Sequence, residues 1–94
     1  TMNTYIILFP QKLDNENLFN ALIDQFPDWV RLVPNHVWQI VTDDNKSTDV
    51  RFKISEKMKE YQQILPFLVM NVTRSGWASH RIDPEITDWL KKDR

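Results

Sequence analysis

Cysteine is absent from the chain. That excludes disulfides, thiolate zinc sites and cysteine nucleophiles, and it makes the cytoplasm the expected compartment. Glycine is nearly absent: Gly76 stands alone. A phosphate loop needs several glycines so that backbone amides can approach the ligand, so a nucleotide cradle of that kind is excluded and no cofactor is expected. There is no excess of charge of either sign, the formal net charge being -1. A general polyanion binder usually shows a basic excess, so net charge does not point to nucleic acid as a partner, although a local basic patch is compatible with it. Long hydrophobic runs are missing as well. The longest, Tyr5–Phe9 and Leu65–Met70, fall far short of the roughly 20 residues that span a bilayer. No membrane association is expected, and no secretory leader is evident ahead of them. Met2 reads as the native start, with Thr1 an added residue.

What is present suits one folded domain over residues 1–94. Hydrophobic residues make up 41% and charged residues 27%, the balance of a chain that folds rather than one that stays disordered. A domain of this size buries one modest core and reaches a net stability of about 5–10 kcal/mol.

Prolines punctuate the chain in place of glycines. Asn3–Phe9 reads as a first strand, rich in β-branched and aromatic residues and stopped by Pro10. Asp14 or Asn15 is placed to cap a helix whose stripe is Leu18, Leu22 and Phe26, flanked by Phe19 and Ile23. Pro27 disfavours helix at Phe26 and ends it. Trp29–Val33 and Val37–Thr42 read as a hairpin about Pro34-Asn35. A polar loop follows, and Ser47 or Thr48 is expected to cap a second helix with Val50, Ile54, Met58 and Tyr61 on its apolar face. Ile64–Val72 reads as a fourth strand. Pro66 lacks a ladder donor, so this strand lies at an edge or begins after Pro66. Residues 73–82 read as a loop. Asp83-Pro84-Glu85 opens a last helix whose apolar residues are Ile86, Trp89 and Leu90.

The order β-α-β-β-α-β plus a C-terminal helix predicts an α+β fold, the ferredoxin-like plait. Two helices cover one sheet face there and the other face is open. Both faces look apolar here. Tyr5, Ile7 and Phe9 alternate with Ile6 and Leu8, and Phe67 and Val69 alternate with Leu68 and Met70. The second face therefore needs a cover. A second subunit docking on Ile6, Leu8, Leu68 and Met70 is the expected one, giving a homodimer, with the C-terminal helix as the alternative.

Further residues carry a family likeness. Trp29, then Val37-Trp38-Gln39-Ile40-Val41-Thr42-Asp43, then Asp49-Val50-Arg51 opening a helix, and finally Asp88-Trp89-Leu90-Lys91-Lys92, resemble a group of small bacterial proteins. They are labelled SinR-like and related to the ferredoxin-like CRISPR adaptation protein that dimerises beside the integrase. The resemblance spans most of the chain and implies the plait and the dimer. The regulator name does not imply DNA binding, because no helix-turn-helix pattern occurs. In nuclease members of that wider superfamily an aspartate near the end of the first strand carries the metal site. This chain reads Leu8-Phe9-Pro10 there, with no carboxylate before Asp14. The resemblance thus implies a protein without metal-dependent nuclease activity.

Other residues invite chemistry and mostly have plainer readings. Asp43, Asn45, Ser47 and Asp49 alternate like calcium-loop ligands, but Thr48 and Ile54 stand where that loop needs glycine and glutamate. Turn and cap chemistry is the expected role. His36 is expected to be exposed at the hairpin tip. Asp24 and Asp28 read as a solvated helix end. Trp38 is expected in the core, with Trp29 and Trp89 half-buried. Arg74, Trp77, His80 and Arg81 share one loop, where arginines could hold phosphate and a tryptophan could stack on a base. Packing of Trp77 on the core edge is the favoured reading. The expectation is a non-catalytic, self-associating adaptor module. The alternative is a nucleic-acid-binding protein or metal-dependent nuclease of the CRISPR adaptation or toxin–antitoxin type, using those four residues.

Overall fold

A computed structural model describes residues 1–74 and 84–91. Strand β1 (Asn3–Leu8) lies at the centre of the sheet. Helix α1 (Glu16–Gln25) follows, and β2 (Asp28–Val33) and β3 (Val37–Thr42) form a hairpin. Helix α2 (Ser47–Glu60), strand β4 (Leu68–Asn71) and helix α3 (Pro84–Leu90) complete the described elements. The sheet order is β2-β3-β1-β4, and every neighbouring pair is antiparallel. This is an α+β architecture of four strands and three helices among the described residues, compatible with the expected plait.

Local signals set most boundaries. Asn15 caps α1 by accepting a hydrogen bond from the Leu18 amide at 3.0 Å. Asn35 takes a left-handed backbone (φ 65°) at the hairpin turn, which asparagine tolerates better than most residues. The His36 amide then closes on the Val33 carbonyl at 3.0 Å. Strand β4 is an edge strand and begins after Pro66. The start of α2 departs from expectation. Its cap position is Lys46, with no side-chain cap, and Ser47 and Thr48 already lie inside the helix. A hydroxyl on a helical residue cannot reach forward to the orphan amides as a cap residue does. The incoming loop is instead tied down by Asp44, described below.

The core lies between the sheet and the pair α1 and α2. Tyr5, Ile7 and Phe9 from the first strand meet Leu18 and Leu22 of α1 and Val50, Ile54 and Met58 of α2, all buried. Trp38 and Ile40 of β3 complete the layer. Aromatic rings stack edge to face around Trp38: Phe9 at 5.6 Å and Phe19 at 5.1 Å between centroids, a geometry that suits their quadrupoles. Trp29 is half-buried beside Phe19, and the Arg31 guanidinium lies 4.8 Å from the Phe19 ring centre.

Leu22 is fully buried in this cluster. Leu22→Ala should cost about 2–5 kcal/mol, as large-to-small core changes do, read as a fall in the urea midpoint at unchanged slope. A cost below ~1 kcal/mol would mean that α1 is not packed as described.

Candidate interaction surface

Register fixes which side chains share the sheet face away from α1 and α2. Leu8 lies opposite Val37 of β3 and Leu68 of β4, and Val37 lies opposite Val33 of β2. That makes one row across all four strands. Ile6 lies opposite Gln39 and Met70, and Gln39 lies opposite Val30, making a second. A register shift between Arg31 and Val33 accommodates an extra residue, so Val30 and Val33 reach the same face although three apart. The two rows are uncharged, and Gln39 is their one hydrogen-bonding side chain.

A third row, Asp28, Val41 and Thr4, is covered from within the chain. Helix α3 packs against β2, and the Trp89 indole N–H donates to Asp28 Oδ1 at 2.9 Å. Val41 is only 4% exposed and Trp89 8%. Asp28 is thus half-buried and hydrogen-bonded rather than part of a solvated helix end, and Trp89 is more deeply buried than expected.

The C-terminal helix therefore covers one part of the second face, and among the described residues no element packs over the β1–β4 part. Ile6 and Leu8 are half-buried, while Leu68 is 51% and Met70 39% exposed. Ile64, just before β4, is 69% exposed. These four face residues come together as one patch. Of the cationic loop cluster, Arg74 is exposed with a left-handed backbone (φ 62°) just after β4. Trp77, His80 and Arg81 lie outside the described residues. Val30, Val33 and Val37 also belong to the face. The first two needed the shift in β2 to be placed, whereas Val37 follows from simple alternation with Trp38.

Polar chemistry is concentrated at the opposite end of β3 and serves the fold. Asp44 accepts from Lys53 Nζ at 2.8 and 3.0 Å through its two oxygens, and from Thr42 Oγ1 at 2.8 Å. Its backbone carbonyl accepts from the Tyr5 hydroxyl at 2.7 Å and from Asn3 Nδ2 at 3.0 Å. One residue thus ties the β3–α2 loop to β1 and to the second turn of α2. Burial pushes the Asp44 carboxyl up, but the hydrogen bonds from Lys53 and Thr42 and the Lys53 charge outweigh it, and the group sits below the usual carboxylate range. Burial, then the Asp44 and Asp49 charges, push the Tyr5 hydroxyl up. Among the described residues no group of three His, Asp or Glu side chains could hold a metal ion. His36 is not a free tip residue. Its Nδ1 donates to the Phe9 carbonyl at 2.9 Å while the Phe9 amide bonds back to His36. The paired bonds sit at the end of β1, where Phe9 is drawn into the core.

No described helix is long and apolar enough to cross a membrane. No protein-family model, curated protein or solved structure matches the chain.

Because the Asp44 carboxyl is held low in the fold, its contribution is complete above the unfolded value near 3.9 and disappears as pH falls through the folded value. Asp44→Asn should cost about 1–2 kcal/mol at pH 7, the size of a charge-assisted hydrogen bond whose cation is partly exposed. It should also flatten the loss of stability below about pH 4. Chemical denaturation from pH 2 to 7 measures both, and parallel curves for the two proteins would contradict the assignment.

Proposed function

We propose that this protein is a non-catalytic interaction module that self-associates through the open part of its sheet. The observation that carries the proposal is the apolar surface of β1 and β4, uncovered among the described residues, in which Leu68 and Met70 stand exposed beside Ile6 and Leu8. Single exposed apolar residues need no explanation, but a contiguous patch on one face marks a contact surface. The sheet order, with β1 antiparallel to both neighbours, supports assignment to the ferredoxin-like plait. A second copy is the natural partner for the exposed β4 side of that sheet, and the small SinR-like proteins that the sequence resembles suit the same reading.

Self-complementarity favours a copy of this chain over a charged partner. The two open rows carry no charge, so a second copy meets them without opposed like charges. A non-catalytic role is supported by Leu8-Phe9-Pro10 at the end of the first strand, where the nuclease relatives place a ligating carboxylate. Phe9 is buried against Trp38 and leaves that position to the core.

Light scattering at micromolar concentration should report twice the monomer mass of 11.3 kDa. The double variant Leu68→Lys, Met70→Lys should weaken association by at least ~100-fold, about 3 kcal/mol, and keep the wild-type circular dichroism. A wild-type protein that stays monomeric at a hundred micromolar would overturn the proposal.

A further inference from the structure

The two edges of the sheet are built differently. Edge strands left bare invite pairing with another chain, and proteins blunt them with charges, bulges or a covering element. Strand β2 has all three: Asp28 and Arg31, the register shift before Val33, and α3 packed on it. Strand β4 has neither charge nor bulge, and the helix that packs on it, α2, lies on the core side and leaves its outer edge bare among the described residues. Residues Ile64 to Thr73 contain no charge, the β1–β4 register is unbroken, and no other described strand pairs with β4.

Hydrogen-bond phase says which groups this edge offers. The Val72 amide donates to the Thr4 carbonyl at 2.8 Å. Inward and outward groups alternate along a strand, so Val72, Met70 and Leu68 direct their amides toward β1, and Asn71 and Val69 direct theirs outward. Pro66 has the parity of Leu68. Its missing donor therefore falls on the β1 side, where the ladder has not yet begun, and the proline leaves the outer edge intact. Among the described residues the outward amides of Val69 and Asn71 have no partner.

We infer that β4 pairs antiparallel with β4 of a second copy, the outward backbone groups of Val69 and Asn71 making the bonds between chains. This rests on the self-association proposed above and states its geometry. A two-fold axis perpendicular to the sheet joins the two sheets edge to edge and keeps the open faces on the same side. Leu68 and Met70 then meet their counterparts at the seam. The charge-free run lets two copies cross without like charges opposed.

Amide exchange followed by NMR on the full chain tests the geometry. In the dimer the Val69 and Asn71 amides should exchange at least about tenfold more slowly than in the monomeric Leu68→Lys, Met70→Lys chain. Asn71→Pro, which removes one outward donor and leaves the β1 ladder intact, should sediment as a monomer. It also gives up the Asn71 Oδ1 bonds to Thr73, so its melting temperature is measured alongside to show that it folds. A dimer whose Val69 and Asn71 amides exchange as fast as in the monomer overturns the edge geometry and leaves self-association standing. A monomeric wild type overturns both. Protection of the same amides in a wild-type monomer, only on adding an extended apolar peptide, overturns the second copy as the occupant.

Discussion

The register of β1 is the constraint on which the rest depends. This strand is hydrogen-bonded on both sides, to β3 and to β4, so its phase sets the phase of the sheet. Tyr5, Ile7 and Phe9 point into the helical layer and are buried. Thr4, Ile6 and Leu8 then necessarily point the other way, because side chains alternate along a strand. A slip of one residue would exchange the two sets. It would put Thr4 into the core and break the Tyr5 hydroxyl's bond to the Asp44 carbonyl. The core, the Asp44 tie and the open face are three consequences of one pairing.

That pairing leaves the protein with two unlike surfaces. One is closed by α1 and α2 over an aromatic-rich layer. The other is shared between α3, which covers the Asp28 and Val41 row, and nothing else among the described residues. Trp89 shows how a chain closes such a face: a large ring for the apolar area and an indole N–H for Asp28. The same solution is not repeated over Ile6, Leu8, Leu68 and Met70. The exposure of Leu68 and Met70 is the part of that imbalance that a second subunit paired along β4 would reduce.

Much of the fold was legible because its signals are local. The apolar stripe of α1, the asparagine cap, the hairpin at Pro34-Asn35 and the start of β4 after Pro66 each follow from a few neighbouring residues. The face pairing of Ile6 and Leu8 with Leu68 and Met70 followed from alternation in two strands. What escaped depends on contacts distant in sequence. Asp28 looks like a helix-end carboxylate until Trp89, 61 residues on, donates to it. His36 looks like a turn residue until the end of β1 comes alongside. Asp44 sits in a polar run whose alternation drew attention to Asp43, Asn45, Ser47 and Asp49, whereas its partners Thr42 and Lys53 lie outside that run. Val30 and Val33 could be assigned to one face only once the shift in β2 was placed. Of the loop cluster, Arg74 alone falls among the described residues.

The proposed non-catalytic role is supported by where the polar groups lie. The hydrogen-bonded carboxylate at Asp44 and the imidazole of His36 are used by the fold itself. The apolar, uncharged part of the sheet is where the molecule has surface to spare. The most direct measurement is isotope-filtered NMR on an equal mixture of labelled and unlabelled chains, which reports only contacts between copies. Cross-copy signals from the Leu68 and Met70 side chains are the expected result. Their absence in a sample that is dimeric by mass, with cross-copy signals at the exposed Phe52 of α2 instead, would contradict the assignment of this face.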